Sequence, residues 1–120
     1  MTTTDDIRRW ATAFPEVEET SHGRFHVPVF KVRGRTFLGM GRDETTAVFC
    51  VSEPDADEAA AADPASCAPV RRRDATRSFL GVEGKLAGVA PERVEHLVAQ
   101  AWRHKAPKRL AESLDRGDPR

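Results

Sequence analysis

The side chains in this 120-residue chain whose types and spacing could do chemistry are mostly cations. Arg24, Lys31, Arg33, Arg35 and Arg42 fall between His22 and Arg42, a stretch without one Asp or Glu. Guanidinium and ammonium groups strung along a pair of strands can neutralise successive phosphates, which is the electrostatic part of nucleic-acid binding. A second group, Arg71, Arg72, Arg73 and Arg77, is opposed only by Asp74, and Arg103, Lys105, Lys108 and Arg109 form a third. Within the third, Pro107 stops one helix and by its fixed φ starts another turn. Lys108 and Arg109 then stand in a first turn, where the helix dipole and free N–H groups prefer an anion, so they make a candidate anion site. Arg103 and Lys105 would add to the same field. The 19 Lys and Arg are balanced by 19 Asp and Glu, so the net charge is zero. The acids lie mainly in Asp5 to Glu19 and Glu53 to Asp63, and such separation can give a neutral protein a basic face.

Other chemistries have less behind them. His22, His26 and Cys67 could be imagined around a metal, but no Cys-x-x-Cys or His-Glu-x-x-His spacing supports them, and no metal is expected. Asp5, Asp6, Glu16, Glu18 and Glu19 could form an acidic face for a hard cation, though Asp5 and Asp6 are explained as helix-start residues. No serine or cysteine stands beside an oriented base, so the chain is expected to be no enzyme and to need no cofactor. Gly39-Met40-Gly41 lacks the third glycine and following helix of a nucleotide fingerprint. Cys50 and Cys67 make no disulfide framework and are expected to be reduced and buried. No run of about 18 apolar residues exists to span a membrane, and MTTTDDIRRW lacks the basic-then-apolar order of a signal peptide. A cytoplasmic location is the expectation.

These cations need a scaffold, and its centre is Pro28 to Val51. Phe30 and Val32 share one face of a first strand, with Lys31 and Arg33 opposite. Gly34-Arg35 reads as a type II′ turn, Thr36 to Met40 as the returning strand, and Ala47 to Val51, apolar on both faces, as a doubly covered central strand. Before this meander, Thr4 to Phe14 reads as a helix capped by Thr4, with Ile7, Trp10, Ala11 and Phe14 on one face. Pro15 to Thr20 reads as an acidic connection. After it, Ser52 caps an alanine-rich helix with little to bury, Ala68-Pro69-Val70 reads as an edge strand, and Ser78 to Val82 as another. Glu83-Gly84 reads as a turn. Pro91 then opens the clearest helix, with Val94, Leu97, Val98, Ala101 and Trp102 as its apolar stripe. The expectation is a single two-layer α+β domain over residues 1–114, with a five-stranded, mostly antiparallel sheet packed by the Thr4 and Pro91 helices, and a mobile tail at 115–120. Trp10, Phe30, Val48, Phe49, Leu97, Val98 and Trp102 should be buried.

Two segments carry a resemblance. HVPVFKVRGRTFLGM and SFLGVEGKLAGVAPERVEHLVAQAWRHKAPKRL, in that order and spacing, resemble the MmcQ/YjbR family of small bacterial proteins (DUF419). The likeness runs from about Asp5 to Leu110. Its most specific part is Ala101-Trp102 followed by Ala106-Pro107-Lys108-Arg109-Leu110. The resemblance implies a fold similar to secretion-chaperone-like or CyaY-like domains. It also implies DNA binding with paired β-hairpin wings, here weak and sequence-tolerant contact through Arg24, Lys31, Arg33, Arg35 and Arg42. The alternative is a non-enzymatic protein-interaction or adaptor domain, monomeric or homodimeric.

Overall fold

The computed structural model describes residues 2–22, 27–41, 43–71, 75–76 and 78–115, and for residues 22, 114 and 115 the backbone alone. Helix α1 (Thr4–Thr12) begins at Thr3, one residue before the expected cap. Thr3 Oγ1 accepts from the Asp6 N–H at 3.2 Å, and Asp6 Oδ2 accepts from the Thr3 N–H at 3.0 Å, a reciprocal capping box. The chain then forms β1 (Val17–His22), β2 (Val27–Val32), β3 (Arg35–Met40) and β4 (Thr46–Phe49). Helix α2 (Glu53–Ala62), strands β5 (Cys67–Arg71) and β6 (Phe79–Lys85), and helices α3 (Pro91–Lys105) and α4 (Lys108–Asp115) complete it. Of the expected tail, Asp115 ends α4 and residues 116–120 lie outside the described residues.

The sheet has six antiparallel strands in the order β1-β2-β3-β4-β6-β5, one more than the sequence predicts. The additional strand is β1, in place of the expected acidic connection. It is the outer neighbour of β2, with Val17 opposite Val32 and Glu18 opposite Lys31. Glu83 and Gly84 do not turn the chain but continue β6 along β4. The β2–β3 turn also differs by one residue. Val32 pairs with Arg35, so the two turn residues are Arg33 and Gly34, both with positive φ (49° and 82°). Two left-handed residues make the turn type I′ rather than II′.

Helices cover one face of the sheet. Ile7 and Ala11 of α1 and Val94, Leu97, Val98, Ala101 and Trp102 of α3 are buried in one core. A register shift between Phe30 and Lys31 lets Phe37 and Leu38, neighbours in sequence, both join that core. Gly81 is needed where β6 passes the end of β4, because a Cβ there would collide with the Phe49 carbonyl oxygen. Helix α2 offers only Ala56 and Ala59 as fully buried residues, a thin cover as its composition predicts. Two residues expected in the core are only half-buried. Trp10 packs at its margin, and Val48 points to the face of the sheet away from the core. That face explains why Ala47 to Val51 is apolar on both sides without being covered on both.

Candidate nucleic-acid interface

One chain of contacts ties the hairpin turn to the helix layer. Trp102, fully buried near the end of α3, donates from Nε1 to the Pro15 carbonyl at 3.2 Å and stacks on Phe14 with centroids 5.1 Å apart. Pro15 thereby fixes the α1–β1 corner, and Glu16 beside it adopts a left-handed φ of 58°. Glu16 in turn grips Arg33 with both oxygens, Nε to Oε1 at 2.6 Å and a terminal nitrogen to Oε2 at 2.9 Å. This two-pronged pair fits the planar guanidinium and raises the Arg33 pKa, first through the hydrogen bonds and then through charge attraction. The turn end of the hairpin, the α1–β1 corner and the end of α3 therefore meet at one end of the molecule.

The sequence-predicted site residues separate in this frame. Arg24 and Arg42 lie outside the described residues. Arg33 is held by Glu16. Lys31 is half-buried in β2, opposite Glu18 of the acidic edge strand, with no carboxylate within ion-pair distance among the described residues. Arg35 opens β3 exposed, and no described carboxylate pairs with it either. The acid-free reach of the sequence is thus laid beside a strand rich in acids.

Arg35 has different company. His104, exposed in the last turn of α3, has its pKa held below the ordinary value by partial burial of its ring, then by Lys105 and Arg35, with Asp55 of α2 opposing. Arg35 is therefore close enough to His104 to act on its charge. Lys105 follows directly, and Pro107 breaks the chain into α4, where Lys108 and Arg109 are exposed and Leu110 is buried at 1% exposure. Three residues of chain span at most about 11 Å between Cα atoms, so Lys108 stays near Lys105. Arg35, Lys105, Lys108 and Arg109 make no ion pair among the described residues. The hairpin group and the group around Pro107 approach each other through Arg35 and Lys105, both of which act on His104. Their linear separation gives no signal of this meeting. The Glu16–Arg33 pair was equally hidden, because Glu16 reads as part of a connection.

Of the remaining candidates, His26, the His22 side chain, Arg72, Arg73 and Arg77 lie outside the described residues. Both cysteines are buried, and burial together with Asp63 pushes the Cys67 thiol pKa up, with Arg93 opposing, away from a reactive thiolate. Of the five acids proposed for a cation face, four are paired, Asp5 and Glu19 with Arg8, Asp6 with Arg9, and Glu16 with Arg33, while Glu18 makes no ion pair among the described residues. No group of three or more metal-ligating side chains occurs among the described residues. Polar pockets of 410 Å³, bordered by Glu58, Glu92, Arg93 and His96, and of 460 Å³, at the start of α1, mix both signs of charge. No described helix is long and apolar enough to cross a membrane.

The YjbR family model matches residues 12–104. The chain belongs to the YjbR family. The match spans both segments that carry the sequence resemblance, except for Lys105 to Leu110 beyond its end. A similar solved structure is that of Deinococcus radiodurans protein DR2400, described by its DUF419 domain. It is 25% identical, covering 99% of this chain and 91% of that one, with a TM-score of 0.72. The α+β fold is therefore that of a DUF419 protein. No curated protein matches the chain.

Proposed function

We propose that this YjbR-family chain is a non-enzymatic nucleic-acid-binding protein that holds backbone phosphates where the end of α3 lies beside β3 and the chain continues into α4. The residues assigned are Arg35, Lys105, Lys108 and Arg109. The observation that carries the reading is that these four cations make no ion pair among the described residues, while Arg33, two residues from Arg35, is paired with Glu16. Exposed Arg35, Lys108 and Arg109 with half-buried Lys105 suit phosphate oxygens, and Arg adds a planar donor set. Contacts of this kind position a protein on a duplex without reading its bases, so binding is sequence-tolerant. With four phosphates neutralised, log affinity falls against log salt with a slope of roughly −3.6. Fluorescence anisotropy with a labelled DNA duplex over a salt series measures it. Absence of binding at about 50 μM protein in low salt, within the ordinary non-specific range, overturns the reading.

A second reading, protein interaction, is favoured by a different observation: an apolar pocket around Val29, Val48 and Cys50 on the sheet face that no described helix covers.

A further inference from the structure

An antiparallel sheet with one face on a core ordinarily turns polar side chains to the other. Here the second face carries Val27, Val29, Gly39, Val48, Cys50 and Leu80 around an apolar pocket of 230 Å³. Val29 and Cys50 are buried, yet both stand outside the core cluster that joins the helices to the sheet. The contacts of α1, α2 and α3 run to the core side, and no described helix covers the opposite one. Gly39 sits between Val29 and Val48 in the sheet and leaves the middle of the face without a side chain.

The rim of this face is charged in a particular way. On the β1–β2 side the register puts Glu18 opposite Lys31, and strand alternation turns both to the face of Val29. On the β6 side Glu83 stands opposite Val48 and Lys85 opposite Thr46, so they share that face too. None of the four makes an ion pair among the described residues. Each side of the patch thus presents one acid and one base.

We propose that this face is the contact between two copies of the chain, packed sheet to sheet about a two-fold axis. A two-fold interface uses the same patch twice and must complement itself. An apolar centre with an acid and a base on either side does so, since each sign on one copy can meet the opposite sign on the other. A zero net charge removes the long-range repulsion that would keep copies apart. Half-exposed Val48 and Leu80 are the side chains available to enter the partner's dent at Gly39. Size sets the strength. Six strands about 4.8 Å apart and about 20 Å long give a face near 580 Å². A stable complex buries about 800 Å² on each partner, so this dimer is weak and concentration-dependent.

The proposal goes beyond phosphate binding and is tested with the full chain and no nucleic acid. Sedimentation velocity from about 5 to 500 μM, the range in which a small interface associates, should show the mass rising from 13.3 kDa toward twice that value. Val48→Lys should remain monomeric throughout. Glu83→Lys, an exposed change that leaves the core untouched, should weaken association at least tenfold, and keeps the test decisive if Val48→Lys fails to fold. An Arg35→Ala/Lys108→Ala/Arg109→Ala variant should dimerise as wild type does, which separates this surface from the cationic end. A wild-type chain that stays at 13.3 kDa at the highest concentration overturns the proposal. So does a dimer that Glu83→Lys leaves intact.

Discussion

Arg33 and Arg35 stand on either side of Gly34 and have opposite fates. Arg33 is the first residue of a type I′ turn, and its side chain lies in the two-pronged grip of Glu16. Arg35 pairs through its backbone with Val32, and its side chain shares an end of the molecule with His104 and Lys105. In sequence they belong to one basic hairpin. In the fold one is part of the scaffold that joins the α1–β1 corner to the sheet, and the other makes no ion pair among the described residues. The lesson concerns charge counting: a cation run measures a surface only after the strand beside it is known. Here that strand, β1, sets Glu18 opposite Lys31, and Glu16 just before it grips Arg33.

The contrast between the two arginines depends on α3 keeping its place, and the largest expected effect comes from loosening it. Leu97 is 1% exposed in the middle of the helix stripe. Leu97→Ala should cost about 2–5 kcal/mol in denaturant unfolding, through lost burial and the cavity left behind. A loss below about 0.5 kcal/mol, the size of a surface effect, would mean that α3 is not what fixes His104 and Lys105 beside β3.

The next effect is on binding. Lys105→Ala/Lys108→Ala/Arg109→Ala removes three of the four assigned phosphate contacts, so the salt slope should flatten from roughly −3.6 to roughly −0.9. Glu16→Ala sharpens the contrast from the other side. It releases Arg33, and DNA binding should tighten modestly, with the slope steepening by up to about 0.9 for the one cation freed. Unchanged binding would show that Arg33 is out of reach of a phosphate even when unpaired.

The smallest effect is protonic. His104 binds a proton less readily in the folded chain than in the unfolded one, because burial, Lys105 and Arg35 disfavour its charged form and Asp55 compensates only in part. Stability is therefore full above the ordinary histidine value of about 6.5 and declines as pH falls through the interval down to the lowered value. A phosphate at this end would reverse the local field and raise the His104 pKa, so DNA affinity should rise on acidification from about pH 7.5 to 5.5. His104→Gln should flatten both profiles. A wild-type affinity that is independent of pH would place the phosphate away from His104.

Much of the scaffold was legible in the residues. Ser52, Pro54 and Pro91 mark helix starts that the structure confirms, and the Val94 to Trp102 stripe is buried as its spacing requires. What escaped has a common cause. VEETSH lacks the β-branched density of a core strand, because an edge strand buries little, and only pairing with β2 makes it a strand. The turn residue Arg33 has a left-handed φ of 49°, which composition assigns to glycine. Val48 is apolar for a face that carries no described helix, so hydrophobicity alone predicted more cover than it has. At the cationic end, Lys108 and Arg109 were visible from Pro107 onward. The approach of Arg35 to His104 was not, since it is made by the α3–β3 contact and by no local pattern.

The most direct test sets the two cation groups against each other. Salt titrations of duplex binding should be run on Lys31→Ala/Arg33→Ala and on Lys105→Ala/Lys108→Ala/Arg109→Ala, alongside wild type. The first should keep the wild-type slope of roughly −3.6 while the second falls to roughly −0.9. A hairpin variant that loses the slope, with the α3–α4 variant keeping it, would place the phosphates on the β2–β3 turn and contradict the assignment made here.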